Sequence, residues 1–298
     1  MIMKKIYTWL NILSFVIALL IAGCSSFSCK PKSDYCAAKY PVVLVHGIGF
    51  RDRTFPINYW GGVPSELRKN GAQVFTGGQD AYGTVADNAE AIKRQILAVL
   101  DETESAKVNI VAHSRGGIES RYMISALGMA DKVATLTTIA TPHRGSVMSD
   151  IIMKQISDAS ALGVVVDFYA KIIGDQNPES FNAGEELTRS YMKKFNEEVP
   201  DVPGVYYQSY AGAIDETFPN ILWRKMSATI YAYEGKNDGL VSVESAKWGN
   251  FRGVMSCDGR ARVSHAVEIG MVLLTGSFCF DAPAFYRECI HELKGKGY

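Results

Sequence analysis

The chain has 298 residues, of which 47% are apolar and 21% are charged, so it has ample material for one large hydrophobic core. Its 31 basic and 31 acidic residues balance, and no run of basic residues is longer than a pair. This composition is that of an ordinary globular protein and argues against a nucleic-acid partner.

Residues 1–23 have the order of a secretory signal. Lys4 and Lys5 precede the apolar run ILSFVIALLIAG, which is shorter than the roughly 20 residues that a membrane-spanning helix needs. The run ends directly before Cys24, and this junction resembles the lipobox of bacterial lipoproteins, in which the cysteine becomes the lipidated first residue. The sequence therefore predicts an exported lipoprotein anchored to a membrane of the bacterial cell envelope. The alternative is an uncleaved anchor beside an incidental cysteine.

Residues 24–39 are predicted to form a polar tether, and residues 40–298 the folded domain. Besides Cys24 the chain has five cysteines, and because five is odd, at least one of them has no partner within the chain. An exported chain permits disulfides, and one candidate bridge joins Cys257 to Cys279. The remaining cysteines are Cys29, Cys36 and Cys289.

Apolar runs typical of buried strands alternate with amphipathic helices along the domain. The first run, YPVVLVHG, is rich in β-branched residues and ends at a glycine. Thr84 and Asp87 have the spacing of a capping box at the start of a long helix. Such alternation predicts an α/β fold with a mainly parallel sheet covered on both faces by helices. The predicted strands are 40–47, 107–114, 132–142 and 227–235, and the predicted helices are 84–102, 116–127 and 281–295.

A helical insertion at about residues 146–190 interrupts this alternation. Apolar residues recur at helical spacing over residues 161–173, and residues 146–156 show a shorter version of the pattern. One interpretation is a set of cap helices buried against the core. The other is a movable lid whose apolar face covers a pocket in water and meets lipid when the lid opens.

The segment AHSRGG at residues 112–117 places Ser114 between a predicted strand and a predicted helix. This is the context of the G-x-S-x-G turn, which holds a serine nucleophile on a sharp strand-to-helix bend. Ala112 replaces the first glycine of the pattern, but alanine is the smallest residue with a Cβ atom. Gly116 and Gly117 supply space on the other side, so the motif predicts that Ser114 is a nucleophile.

A serine hydroxyl needs a base, and the base needs an acid that orients it. In folds that use this turn, the chain order is serine, acid, histidine. That order excludes three of the five histidines of the chain, which are His46, His113 and His143. Of the other two, His265 in the loop-like stretch RVSHAVEIG is favoured, because His291 lies inside the closing helix, a poor place for a base that must reach the pocket.

The predicted acid is Asp238, which lies in the turn sequence NDG after the predicted strand 227–235. Glu234 and Asp215 remain as alternatives. The oxyanion donors are predicted to be the backbone N–H groups of Ile48 and Arg115. Because both donors belong to the main chain, we expect the side chains at these two positions to matter little.

Four segments together resemble the bacterial triacylglycerol lipases of the Pseudomonas–Burkholderia type. They are YPVVLVHGIGF, AHSRGG, TIATPHRGS at 138–146 and NDGLVS at 237–242. The resemblance implies an α/β-hydrolase fold and hydrolysis of carboxylic esters. It assigns the same roles to Ser114, Asp238 and His265, and to the amides of Ile48 and Arg115. Within TPHRGS, His143 and Arg144 are expected to be structural, and His46 is expected to order the oxyanion loop.

The sequence departs from that family at two features, the calcium site and a disulfide. Those lipases bind calcium through an aspartate two residues after the catalytic histidine, and that position is Val267 here. Glu268 is one residue further and is expected to point elsewhere, while Asp215 or Glu216 are weak substitutes for the second carboxylate. The sequence therefore predicts no calcium site and no cofactor. Glu244 stands where the family has a disulfide cysteine.

The function predicted from these features is a lipase or esterase that acts on acylglycerols or other lipid esters through an acyl-enzyme. An acyltransferase or a phospholipase could use the same three side chains. A catalytically inactive protein that binds ligands in the envelope is the alternative from outside the enzymes.

Overall fold

The computed structural model describes residues 32–54, 57–155, 175, 179–271 and 279–298, and in it the apolar runs of the sequence form parallel strands. The strands are β1 (Val42–Val45), β2 (Arg53–Thr54), β3 (Ile57–Asn58), β4 (Val74–Thr76), β5 (Val108–His113), β6 (Val133–Ile139), β7 (Tyr206–Ala211), β8 (Ala213–Ile214), β9 (Asn250–Val254) and β10 (Arg262–Val263).

Six of these strands form the central sheet, in the order β4-β1-β5-β6-β7-β9, and every pairing in it is parallel. The short strands β2 and β3 pair with each other, as do β8 and β10, and both pairs are antiparallel. The order changes direction between β1 and β5, so the loops that follow these two strands meet at one edge of the sheet. Ligands of open parallel sheets bind at such a point.

Helices cover both faces of the sheet. They are α1 (Val63–Lys69), α2 (Val85–Thr103), α3 (Gly116–Ser125), α4 (Val147–Gln155), α5 (Ser180–Glu185), α6 (Arg189–Glu198), α7 (Ile221–Glu234), α8 (Val243–Ala246) and α9 (Ala282–Gly295), with 3-10 turns at Ala130–Lys132 and Val267–Ile269. Within the described residues, no helix combines the length and the apolar character that crossing a membrane requires.

The packing of strand β1 explains why its sequence is apolar at every position. Val42 and Leu44 pack into one hydrophobic cluster, with residues of α1 and α9, whereas Val43 and Val45 pack into a second cluster with residues of α2 and α3. Alternate side chains of a strand point to opposite faces, so a sheet covered on both faces requires a continuous apolar run. The predicted α/β fold class is confirmed.

The predicted helix at 84–102 forms as α2, and its start has the predicted cap. The Thr84 side chain accepts a hydrogen bond from the Asp87 backbone N–H at 3.1 Å and donates to the Asp87 carboxylate at 2.8 Å. The apolar face of the helix, which includes Ile92, Ile96 and Val99, is fully buried. The other predicted strands and helices before residue 146 form within a few residues of their expected bounds.

The predicted strand at 227–235 is wrong, because these residues belong to helix α7. Asn220 caps this helix by accepting hydrogen bonds from the N–H groups of Leu222 and Trp223. Ser227 and Ile230 are buried, three residues apart, as on one face of a helix. The last strand of the central sheet is instead β9.

Residues 32–39, which lie within the predicted tether, pack on the folded domain. Cys36 is fully buried, and its backbone N–H donates to the carbonyl of Asn70 at 2.7 Å. The ring of Tyr35 stacks on His291 of α9, with ring centroids 3.7 Å apart. The predicted signal segment and the first part of the tether lie outside the described residues, as does the predicted helix at 161–173.

The candidate bridge between Cys257 and Cys279 is present as a disulfide. Cys36 and Cys289 are both buried and free. The bridge joins the segment after β9 to the segment before α9, and the loop that carries His265 lies between its two cysteines in the sequence.

Candidate active site

Ser114 lies in the turn between β5 and α3, with a backbone φ of +55°. This left-handed conformation is unfavourable for a residue with a Cβ atom, so the surrounding contacts must hold it. The Ser114 N–H donates to the carbonyl of Ile139 at 2.9 Å, and its carbonyl accepts from the Thr141 hydroxyl at 2.7 Å. The turn therefore has the geometry that the sequence motif predicts.

Two glycines explain how neighbouring segments approach this turn so closely. A Cβ atom on Gly47 would lie 2.7 Å from the Cβ of Ser114, and one on Gly116 would lie 2.3 Å from the carbonyl oxygen of His46. Ala112, in contrast, is part of strand β5 and packs in the cluster between the sheet and α2. At that position a Cβ atom fills the core, which is why the motif tolerates the loss of its first glycine.

His265 contacts Ser114 and Asp238 at the same time. Its Nε2 lies 2.9 Å from the Ser114 hydroxyl oxygen, and its Nδ1 lies 2.8 Å from a carboxylate oxygen of Asp238. The backbone N–H of His265 also donates to the Asp238 carbonyl at 3.1 Å. The structure thus brings together three predicted side chains, although Ser114 and His265 are 151 residues apart in the sequence.

The Asp238 carboxylate is completely buried at the turn that follows α7. Its second oxygen accepts hydrogen bonds from the N–H groups of Leu240 and Val241, both at 2.8 Å. The Asn237 amide fixes the same turn by donating to the Ser227 carbonyl at 2.9 Å. One carboxylate oxygen is therefore held by the backbone, and the other is directed at His265.

Glu268 lies against His265 and Asp238, contrary to the expectation that it points elsewhere. It is three residues after His265, in the 3-10 turn Val267–Ile269, and is completely buried. Burial and the neighbouring Asp238 carboxylate raise the pKa of Glu268 well above its ordinary value. A protonated Glu268 can donate a hydrogen bond to Asp238.

His113 connects Glu268 to Tyr59. Its Nε2 lies 3.0 Å from a Glu268 oxygen, and its Nδ1 lies 2.6 Å from the Tyr59 hydroxyl. Burial, with His265 nearby, lowers the pKa of His113 well below its ordinary value, so the ring is neutral. Tyr59 accepts from the Gly47 N–H at 2.8 Å and therefore donates to His113.

The sequence analysis missed Glu268 and Tyr59 as members of the site. The spacing of three residues between His265 and Glu268 was a usable signal, because one turn of a 3-10 helix places such residues side by side. For Tyr59 the sequence has no comparable signal, since its contact with His113 joins residues 54 positions apart.

Within the described residues, the backbone N–H groups of Ile48 and Arg115 have no protein acceptor. Both residues lie beside Ser114, since Ile48 lines the same cavity and Arg115 follows the serine directly. The side chain at 115 has contacts that the sequence analysis did not anticipate. The Arg115 side chain is fully buried and forms ion pairs with Glu119 and Glu186.

Ser114 and His265 lie on the wall of a cavity of about 410 Å³. None of the described residues that line it is Lys, Arg, Asp or Glu, and most are apolar. Helix α4 contributes Met148 and Met153, and α7 contributes Trp223. Such a lining suits an uncharged, apolar part of a substrate. Further lining residues are Ile48, Phe50, Leu187, Leu240, Ile269 and Met271.

The residues that the sequence left as alternative base and acids lie outside the hydrogen-bonded series of Ser114, His265 and Asp238. His291 contacts the carbonyl of Tyr35, and Glu234 pairs with Arg189. Asp215 accepts hydrogen bonds from the N–H and hydroxyl of Thr217. In the part of the chain that the structure describes, none of these three residues forms a hydrogen bond or an ion pair with His265.

The expected structural roles of His46, His143 and Arg144 agree with their contacts. The His46 ring lies 2.8 Å from the carbonyl of Gly47, in the loop after β1. His143 stacks on Trp248 and contacts the Thr138 hydroxyl at 3.0 Å. Arg144 donates to backbone carbonyls of the segment around α8, at Glu244 and Lys247.

One group of described side chains has the arrangement of possible metal ligands. Ligand atoms of His113, His265 and Glu268 lie within 4.8 Å of one another. Hydrogen bonds within the series already account for their closeness, and two imidazoles with one carboxyl do not form the oxygen-rich site that calcium requires. We therefore assign no metal to this group.

Comparisons with known proteins agree with this architecture. A model of the palmitoyl protein thioesterase family matches residues 41–203. A triacylglycerol lipase of Vibrio cholerae is 30% identical over 312 residues, covering 96% of this chain and 97% of the relative. Triacylglycerol lipase 2 of Saccharomyces cerevisiae is 34% identical over 205 residues, covering 67% of this chain but only 60% of the relative.

Among solved structures, the mature lipase BlEst2 of Bacillus licheniformis superposes with a TM-score of 0.60 and 22% identity, covering 79% of this chain and 89% of that one. At this identity the similarity bears on the fold alone. The alignment with the Vibrio lipase, however, extends through nearly the whole of both chains. The chain therefore belongs to the bacterial lipases of the α/β-hydrolase type, a family of carboxylic ester hydrolases.

Proposed function

We propose that this protein hydrolyses lipid esters, acylglycerols above all, through an acyl-enzyme formed on Ser114. The observation that supports this most directly is the series of hydrogen bonds from Ser114 through His265 to Asp238. A hydroxyl, an imidazole and a buried carboxylate in this order activate the hydroxyl as a nucleophile.

In the first half of the reaction, Ser114 attacks the ester carbonyl and His265 takes the hydroxyl proton at Nε2. Asp238 keeps the other proton of the imidazole on Nδ1 and stabilises the ring while it is charged. The tetrahedral intermediate collapses, the ester C–O bond breaks, and the alcohol leaves with the proton from His265. The acyl group remains on the Ser114 oxygen.

In the second half, water attacks the acyl-enzyme and His265 again takes the proton. The second tetrahedral intermediate collapses to the free acid and returns the proton to Ser114. In both halves the negative charge that develops on the carbonyl oxygen is held by the N–H groups of Ile48 and Arg115. Removing one such donor costs about 100-fold to 1,000-fold in rate in enzymes of this kind.

The lining of the cavity supports a lipid as the acyl donor. Its described walls carry no charged residue of the Lys, Arg, Asp or Glu type, and flexible methionines such as Met148 and Met153 adapt to an alkyl chain. The names of the matching family and relatives agree, because they specify a palmitoyl group and triacylglycerol.

We propose further that the protein is exported and held at a membrane of the cell envelope by lipid on Cys24. The support lies in the sequence, where two lysines, an apolar run and a small pair precede this cysteine. The disulfide between Cys257 and Cys279 fits an oxidising compartment. An enzyme anchored in this way would act next to the lipids it hydrolyses.

Labelling by a fluorophosphonate tests the nucleophile. We expect the wild-type protein to be labelled, Ser114→Ala to be unlabelled, and Ser65→Ala, on the exposed side of α1, to be labelled like the wild type. If wild-type protein is not labelled, or Ser114→Ala is, the acyl-enzyme proposal is refuted. Absence of labelling is also what an inactive binding protein would give.

Product analysis then separates hydrolysis from the related reactions of the same site. Triacylglycerol and phospholipid are supplied in turn, with and without a glycerol acceptor. The proposal requires free fatty acid from triacylglycerol as the main product. A new ester as the main product would indicate an acyltransferase, and faster release from phospholipid would indicate a phospholipase.

A further inference from the structure

Arg115, whose backbone N–H is a proposed oxyanion donor, has a fully buried guanidinium. One of its nitrogens lies 3.0 Å from a carboxylate oxygen of Glu119, and another lies 2.5 Å from a carboxylate oxygen of Glu186. A buried ion pair is often no more stable than well-packed apolar residues of similar volume, because the charges lose their hydration. The buried ion pairs of Arg115 therefore suggest a role beyond filling the core.

Glu186 belongs to the part of the chain that covers the cavity. It follows α5 directly, between Gly184 and Leu187, which both line the cavity. The oxygen that pairs with Arg115 also accepts a hydrogen bond from the N–H of Val85 at 2.9 Å, at the first turn of α2. The position of Glu186 is thus fixed by the start of a long helix.

Glu119 is fixed in a similar way on the other side of the guanidinium. It lies four residues after Arg115, in α3, and accepts a hydrogen bond from the Asn88 side chain at 2.8 Å. Asn88 is itself bonded to the backbone of Asp80 through both ends of its amide. The planar guanidinium is therefore held between two carboxylates that cannot shift freely.

We propose that the Arg115–Glu186 ion pair positions the backbone N–H of Arg115 for the oxyanion and couples it to the segment after α5 that lines the cavity. The inference rests on the proposed function, since it assumes that this N–H is an oxyanion donor. Glu186 acts here as a positioning residue. It does not contact the reacting atoms but sets the place of a group that does.

The carbonyl oxygen needs its donors about 3 Å away, and an error of about 1 Å costs roughly 100-fold in rate. Glu186→Gln keeps the size of the side chain and an oxygen for the Val85 N–H, but removes the ion pair. We expect kcat for a soluble p-nitrophenyl ester to fall about tenfold, with KM within twofold of wild type. Glu185→Gln, an exposed neighbour on α5, is the matched control and should leave both constants unchanged.

A thionoester of the same acyl group distinguishes positioning from a general structural role. Sulfur is a weak hydrogen-bond acceptor, so its hydrolysis depends less on the oxyanion donors. We expect Glu186→Gln to slow the oxygen ester about tenfold and the thionoester by less than twofold. An equal loss on both substrates, or a loss confined to KM, would overturn the inference.

A double-mutant cycle provides a second test that does not rely on one variant. Arg115→Gln should lower kcat at least as much as Glu186→Gln, and the double variant should be no slower than Arg115→Gln alone. Arg115→Lys keeps one charged contact and should recover part of the loss. Additive losses in the double variant would contradict the coupling.

The outcomes separate this inference from the proposed function. If wild-type protein resists the fluorophosphonate, the function itself fails. If wild type is labelled and active but Glu186→Gln behaves like Glu185→Gln on both substrates, only the positioning role fails.

Discussion

At the scale of single residues, the contact of Glu268 with Asp238 makes stability depend on pH. Both carboxyl groups are completely buried, and two carboxylates in contact cannot both ionise without strong repulsion. Burial and the neighbouring Asp238 raise the pKa of Glu268 well above its ordinary value, so Glu268 keeps its proton to a higher pH than an exposed glutamate does.

We predict that the stability of the wild type falls as pH rises, and that Glu268→Gln abolishes this fall. The folded-state pKa of Glu268 is raised above the ordinary value of 4.5. Between 4.5 and that higher value the unfolded chain has released the proton while the folded chain keeps it, so the free energy of unfolding falls with pH. The slope from one such group is at most about 1.4 kcal/mol per pH unit.

Urea unfolding at pH 5, 6, 7 and 8 checks this prediction. Glutamine imitates the protonated carboxyl, so the stability of Glu268→Gln relative to wild type should increase steadily with pH. Glu197→Gln, on the exposed face of α6, is the control and should show no such trend. A constant difference between Glu268→Gln and wild type would mean that Glu268 is already ionised in the folded protein at pH 5.

At the scale of elements, α7 is where the sequence was misleading. The stretch SATIYAYEG was predicted to be a strand, but it belongs to a helix that begins at Ile221 and is capped by Asn220, seven residues before that stretch. The capping bonds of Asn220 lie outside the stretch from which the strand was predicted. Short apolar runs are ambiguous in this way, and the flanking cap decides between helix and strand.

Helix α7, whose Trp223 lines the cavity, carries several exposed apolar side chains. Of the seven large apolar side chains that are exposed in the described chain, four lie on α7, at Ile221, Leu222, Tyr231 and Tyr233. Ile152 of the neighbouring α4 is a fifth, and it also lines the cavity. This clustering suits contact with a lipid surface.

We predict that Leu222→Glu combined with Tyr233→Glu lowers activity on emulsified triacylglycerol about tenfold, because both exposed side chains lie on one side of α7 and charge there opposes contact with lipid. Activity on a soluble short-chain ester should stay within twofold, since neither side chain lines the cavity. Leu97→Glu, at an exposed site on α2, serves as the control and should keep both activities. An equal fall on both substrates in the double variant would contradict the role of this face.

At the scale of the whole molecule, the sequence was sufficient for three of the six strands of the central sheet, β1, β5 and β6, and for the grouping of Ser114, Asp238 and His265. These three strands follow from continuous apolar runs, which β4, β7 and β9 lack, and the order of the three residues follows from the turn at Ser114. Tyr59 and Glu268 could not be assigned, because their importance arises from packing between distant segments. The buried ion pairs of Arg115 were missed for the same reason, although its backbone N–H was expected to face the oxyanion.

We predict that the intact chain, expressed in a bacterial host, incorporates an alkynyl fatty acid and sediments with membranes because Cys24 is lipidated. Cys24→Ser should abolish both the labelling and the sedimentation. Cys29→Ser, five residues further along, keeps the residues before Cys24 unchanged and should behave like wild type. Membrane association of Cys24→Ser without labelling would indicate an uncleaved apolar anchor instead.

The backbone conformation of Ser114 has a consequence for how the protein is maintained. A left-handed φ costs a residue with a Cβ atom roughly 1–2 kcal/mol, whereas glycine adopts it freely. A chain that merely carried ligands through the envelope would gain stability by exchanging this serine for glycine. Retaining a hydroxyl at this strained position fits a protein whose usefulness depends on breaking bonds.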